Sequence, residues 1–216
     1  MTFLELVNEV LARMRQDSVL TVIGSDDASA QIVIKMVNDA KTKVENAFNW
    51  NALRTTWDFD TVIGQETYAL TGSDTYVVID YAAMSTYGYF LDTTDKKTLM
   101  FKNFGSQVNS KPSMFAVTGS NASREVTIGL YPKPEAVTAV KVEGWKNQVA
   151  LALDADVLLI PSLPVIYEAL ALAARERGEV GGQTSLEIFG VAKGHLQDAI
   201  ALDAALSPHD TIWVSI

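Results

Sequence analysis

The chain has 216 residues, a net charge of −9 and no cysteine, which excludes thiol catalysis, zinc ribbons, iron–sulfur ligation and disulfide scaffolds. Hydrophobic residues make up 48% of it and charged ones 20%, the balance of a globular chain long enough to bury a core without disulfide or metal. Its acidity argues against gripping nucleic acid by the phosphates, which needs clustered Lys and Arg, and is concentrated at one end: residues 151–216 hold three basic and nine acidic side chains.

Residues 2–14, TFLELVNEVLARM, place Phe3, Leu6, Val7, Val10, Leu11 and Met14 on one helical face, with Thr2 and Glu5 spaced as a capping box. Met1–Leu11 lacks a basic n-region, so a structural helix is expected here rather than a signal peptide. Ser25, Asp26 and Asp27 offer N-caps for a second helix running to Phe48, with Ile32, Met36, Val37, Ala40, Val44 and Phe48 on its buried side. From Arg54 to Trp145 the period changes to two. TTWDFDTV, TYAL, YVVIDYAAM, YGYFL, TLMF, FAVTG, EVTIGLY and TAVKVEGW read as short strands between Gly, Asp, Asn and Pro.

Pro161 and Pro164 then open an Ala- and Leu-rich helix, VIYEALALAARER, and Gly181-Gly182 separates it from a second, TSLEIFGVAKGHLQDAIALDAAL. Gly190 and Gly194 in that last helix form a small-xxx-small pair that expects close helix packing, within the chain or between subunits. After Pro208 comes a β-prone apolar arm, DTIWVSI. The longest apolar runs are far below the ~18 residues of a membrane span. The order of elements predicts an α+β protein: a helical bundle of residues 1–53 and 155–206, an inserted β-rich lobe of residues 54–150, and a C-terminal arm of residues 207–216.

Chemistry has few candidates. His195 and His209 are the two histidines, and His195 has only Asp198 at helical spacing, an ordinary surface pairing. The carboxylate pairs Asp26-Asp27, Asp58 and Asp60, Asp92 and Asp95, and Asp154 and Asp156 lack the frame of a calcium loop, and helix capping or turns account for several of them. Walker A, dinucleotide, G-x-S-x-G, S-x-x-K and H-E-x-x-H patterns are absent from the sequence. No enzyme, cofactor or metal is expected. The aromatics Trp50, Trp57, Tyr68, Tyr76, Tyr81, Tyr87, Tyr89 and Trp145 could form a stacking platform for sugar or bases, which keeps a carbohydrate-binding or glycan-processing β module as an alternative.

Three patterns together, TFLELVNEVLARM, FNWNALRTTWDF with Trp50, Leu53 and Arg54, and LLIPSLPVIYEALALAARER, resemble the head-to-tail adaptors of tailed phages, the tail tubular protein A class of short-tailed phages. The turn LYPKP followed by AVKVEGW fits the same family; a neck or tail-completion protein of a long-tailed phage is the neighbouring alternative. The resemblance implies a structural virion protein at the head–tail junction, made in the host cytoplasm, forming a dodecameric ring between the portal and the tail nozzle or tube and leaving a channel for DNA. On that basis Ile212, Trp213, Val214 and Ile216 are expected to dock on the portal by strand addition. Trp50 and Arg54 are expected at a junction of lobes. Asp154, Asp156, Glu176, Glu179 and Glu187 are expected as an acidic channel lining that repels passing phosphate.

Overall fold

The computed structural model describes residues 1–24, 27–74, 76–104, 109–176 and 183–206. The chain divides into two compact units, residues 1–53 with 149–216, and residues 54–148.

In the first unit, α1 (Phe3–Arg13) buries Phe3, Leu6, Val7, Val10 and Leu11. Its capping box forms as spaced: the Glu5 amide donates to the Thr2 hydroxyl at 3.3 Å and the Thr2 amide to the Glu5 carboxylate at 2.8 Å. The Phe3 and Leu4 amides, which have no partner inside the helix, donate to the Asp156 and Asp154 carbonyls at 2.8 and 3.3 Å. Segment 154–158 thus closes the start of α1.

α2 (Ala28–Glu45) is capped by Asp27 and buries Ala30, Val33, Val37, Ala40 and Val44. Ile32, expected on that face, is instead 42% exposed, because the buried strip centres on Val33 and Val37 and leaves Ile32 at its edge. The strip ends in an ion pair, Lys41 to Glu45 at 3.0 Å, with both side chains buried. α4 (Ser162–Glu176) turns Val165, Ile166, Ala169 and Ala173 inward. It packs on α1, on α2 and on α5 (Gln183–Leu206).

The second unit holds β1 (Arg54–Asp60), β2 (Thr67–Ala69), β3 (Val77–Met84), β4 (Tyr89–Thr93), α3 (Lys96–Asn103), β5 (Met114–Ser120), β6 (Val126–Tyr131) and β7 (Ala139–Lys146). Its strands form one sheet in the order β1-β7-β3-β4-β5-β6-β2. All neighbours are antiparallel except β4 and β5, which run parallel with Asp92 opposite Met114. The sheet curls around Trp57, Tyr68, Leu70, Met84, Leu91, Phe115, Ile128, Leu130, Val140 and Val142.

Two glycines permit close approaches in this sheet. A Cβ at Gly144 would lie 2.2 Å from the Val78 carbonyl oxygen, beside the register shift between Ile79 and Tyr81, and one at Gly129 would lie 2.9 Å from a Leu99 methyl.

The expected helical bundle with an inserted β lobe is therefore corrected. The protein is a mixed α/β fold with a seven-stranded curled sheet and, among the described residues, five α-helices. One helix arises within the strand region. TLMF, read as a strand, belongs to α3, and a parallel neighbour requires such a crossover because a hairpin cannot reverse the chain twice. The Asp95 side chain starts the helix, accepting from the Thr98 amide at 2.9 Å and the Thr98 hydroxyl at 2.6 Å. These bonds, the hydroxyl's first, hold the Asp95 carboxyl below its usual range.

Candidate assembly surfaces

α3 lies on β5 and β6 through Leu99 and Asn103, four residues apart on one face. Gly129 on β6 lets the Leu99 side chain sit down on the sheet. Lys96 donates to the Thr118 carbonyl, and Lys102 stands 5.4 Å over the Tyr131 ring. The remaining strip, Lys97, Met100, Phe101 and Phe104, points to solvent: Phe101 is 80% exposed and Phe104 82%. A core of this kind ordinarily takes such rings inside, since burying one contributes roughly 2 kcal/mol.

α5 shows the opposite texture. Ala192 and Ala199 are buried, while Glu187, Gly190, Val191, Asp198, Ala201, Leu202 and Ala205 are exposed and Gly194 half-buried. At 3.6 residues per turn these outward positions form one strip, acidic, small and apolar, with Lys193 to its side. A Cβ on Gly190 or Gly194 would meet no atom within 4 Å, so the close packing expected there is not made by the described residues of this chain.

Further along the helix, the Asp203 carboxylate accepts from the Asn51 amide at 2.9 Å. His195 stacks on Tyr167 with ring centroids 4.4 Å apart, and the Tyr167 hydroxyl accepts from Arg13 at 2.8 Å. An open groove of about 540 Å³ follows the end of α5, lined by Pro161, Leu163, His195, Asp198, Leu202 and Leu206.

The other sequence-predicted residues fall apart in space and in role. Trp50 is fully buried, its indole N–H donating to the Val44 carbonyl at 2.9 Å and its ring edge-on to Phe48. Arg54 begins β1, paired with Asp80 at 2.9 Å and Glu143 at 3.0 Å, its guanidinium above the Trp145 and Tyr81 rings. Asp154 accepts from the Thr21 hydroxyl and the Val22 amide, both at 2.7 Å, and Asp156 from the Leu153 and Ala152 amides at 2.8 and 2.7 Å. Those bonds hold both carboxyls below their usual range, the Thr21 hydroxyl acting most strongly on Asp154 and the Leu153 amide on Asp156.

Glu176 and Glu187 are exposed on α4 and α5. Glu179 and the arm residues Ile212, Trp213, Val214 and Ile216 lie outside the described residues, as does His209. Of the platform aromatics, Trp57 and Tyr68 belong to the sheet core; the Tyr68 hydroxyl bonds the Val62 amide at 3.0 Å and the Gln65 carbonyl at 3.0 Å. Among the described residues no group of His, Asp or Glu could hold a metal ion, and no helix is long and apolar enough to cross a membrane.

Sequence reasoning missed the outward face of α3. Its signal was present in Asp95 three residues before Thr98, with Leu99 and Asn103 at helical spacing.

A chain whose polar clusters are used in capping and ion pairs, and whose bulky apolar residues stand on helix exteriors, has the surfaces of an assembly component. The profile of the SU10 adaptor protein family matches residues 1–207, and the chain belongs to that family. It is accordingly a structural adaptor of a phage. No curated protein matches it.

Proposed function

We propose that this adaptor forms a ring that docks on the portal and joins it to the tail, leaving an axial path for DNA, without catalysis. The observation that carries this reading is the outward strip of α5, a surface shaped for a helix that its own described residues leave uncovered. A closed ring needs two different, complementary surfaces on each copy, and α3 and α5 differ in the required way. The finer reading, the tail tubular protein A class with a dodecameric ring, rests on the sequence resemblance.

The arm of residues 210–216 is assigned to the portal, because Ile212, Trp213, Val214 and Ile216 gain most by strand addition to a partner. The acidity of residues 149–216 suits a channel wall that repels phosphate. Hydrogen bonds favour the ionised forms of Asp154 and Asp156, and Glu176 and Glu187 are exposed, so these four are the described carboxylates assigned to that role.

Native mass spectrometry of the purified protein, alone and with its own portal protein, tests the proposal. A stoichiometric ring with the portal, lost on deletion of residues 210–216, is the expected result. A protein that stays monomeric and ignores the portal overturns it.

A further inference from the structure

The outward strips of α3 and α5 match in three respects. The α3 strip is bulky and apolar with one cation, Lys97, one turn from Phe101; the α5 strip is small and apolar with two carboxylates, Glu187 and Asp198, and no cation inside it. The rings of Phe101 and Phe104 are knobs, and Gly190, Gly194 and Ala201 leave the holes between helix turns that such knobs fill. The third match is room. The groove of about 540 Å³ borders the C-terminal half of the α5 strip, sharing Asp198 and Leu202 with it, and leaves room for a ring that seats against Leu202. Leu202 is 72% exposed there, so an incoming ring finds an apolar wall.

We propose that the outward face of α3 docks on the outward face of α5 of a second copy of this chain, Phe101 and Phe104 seating against Gly190, Gly194, Ala201 and Leu202 while Lys97 meets Glu187 or Asp198. Each copy carries one α3 and one α5, so the contact is head-to-tail and repeats, the arrangement that closes into a ring when the rotation fits. Charge sets its polarity: two α3 strips would bring cations together and two α5 strips would bring carboxylates together, both unfavourable. The inference rests on the ring reading above and names the surfaces that make the ring.

The absence of native cysteine makes the test clean. Two single-cysteine variants, Met100→Cys and Val191→Cys, which keep Phe101 and Phe104 and of which one carries a mass tag, are mixed with portal protein and oxidised by copper phenanthroline in air. The mixed 100–191 disulfide dimer is expected as the main product. Since each chain holds one thiol, every link is between copies. Rings that form and give only 100–100 or 191–191 links, or none, overturn the α3–α5 contact and leave the ring reading standing. Wild-type protein that forms no ring with the portal overturns both.

A charge exchange gives the second arm. Lys97→Glu is expected to raise the concentration needed for half-assembly about ten-fold, and Lys97→Glu combined with Glu187→Lys and Asp198→Lys to restore most of it. Equal assembly of wild type and Lys97→Glu overturns the proposed polarity, and so does a loss in Lys97→Glu, at an unchanged thermal midpoint, that the exchange fails to restore.

Discussion

α1 and α3 are both short, both capped by a side chain that accepts from the amide three residues on, and both carry a cluster of large apolar residues, yet they aim that cluster in opposite directions. α1 turns Phe3, Leu6, Val7, Val10 and Leu11 into its unit, whereas α3 buries Leu99 and leaves Met100, Phe101 and Phe104 in water. The first arrangement lowers the free energy of the folded chain. The second contributes almost nothing to folding, which is why the proposal gives that face to a second copy of the chain. Helix formation is common to both, and the direction of the apolar face separates a helix that stabilises its unit from one proposed to join copies.

Substitutions can test that contrast, and the largest effect belongs to α1. Leu6→Ala removes a side chain with no exposure and is expected to cost about 3 kcal/mol or more in urea unfolding, from lost transfer energy plus a cavity. A loss under about 1 kcal/mol would mean that α1 contributes little to its unit.

Next is the seat of α3. Gly129→Ala brings a Cβ to 2.9 Å from the ends of Leu99 and Thr118, and overpacking of this kind costs about 1 to 3 kcal/mol. The caps follow, at about 1 kcal/mol each for Thr2→Ala and Asp95→Ala; equal losses would show that both helices depend on their caps alike.

Acid should act on both units. Glu5, Asp95, Glu125, Asp154 and Asp156 are all held below their usual range by hydrogen bonds, Glu5 chiefly by the Thr2 amide and Glu125 chiefly by the Gly72 amide. A depressed folded-state pKa gives stability that is fully present above the unfolded-state value and lost as pH falls through the folded one. The unfolding midpoint is therefore expected to hold steady above about pH 5 and to decline from about pH 4 downward. Asp154→Asn should flatten that decline, and an unchanged slope would show that the Thr21 and Val22 contacts do not discriminate the ionised form. The smallest effect on stability is expected for Phe101→Ser, within about 0.5 kcal/mol, although the same change should impair assembly most.

The sequence made α1 legible because two independent signals, a capping box and a 3.6-residue apolar period, coincide on the same residues. α3 was not legible as a helix. Leu99, Met100 and Phe101 are consecutive, which obscures a helical period, and the residues that decide the face are one leucine and one asparagine. The parallel pairing of β4 with β5 was hidden for the same reason, since it exists only if the chain between them makes a crossover. For the assembly surfaces, Gly190 and Gly194 marked α5 from spacing alone. Its acidic rim and the complementary α3 strip required knowing which side chains the fold leaves outside. Asp154 and Asp156 carry a role that the acidic spacing did not show: Asp154 holds the Thr21 hydroxyl and the Val22 amide, and Asp156 the Leu153 and Ala152 amides.

The pairing of β1 with β7, Arg54 opposite Trp145, also sets an order of events during synthesis. The sheet unit is one uninterrupted segment and can close once β7 has left the ribosome. α1 meets α2 early but must wait longer for the rest of its contacts, because the carbonyls that receive its first amides belong to Asp154 and Asp156, and α4, the other helix it packs on, follows them. The first helix translated is thus among the last to be fully secured, with only α2 against its apolar face for most of the synthesis of the chain. Contacts so distant in sequence slow folding, and an exposed apolar face on a nascent chain is what chaperones bind. Ribosome-bound chains stopped once β7 has cleared the exit tunnel, with α4 still inside it, should accordingly contain a protease-resistant sheet unit and an α1 more protease-sensitive than in the released chain.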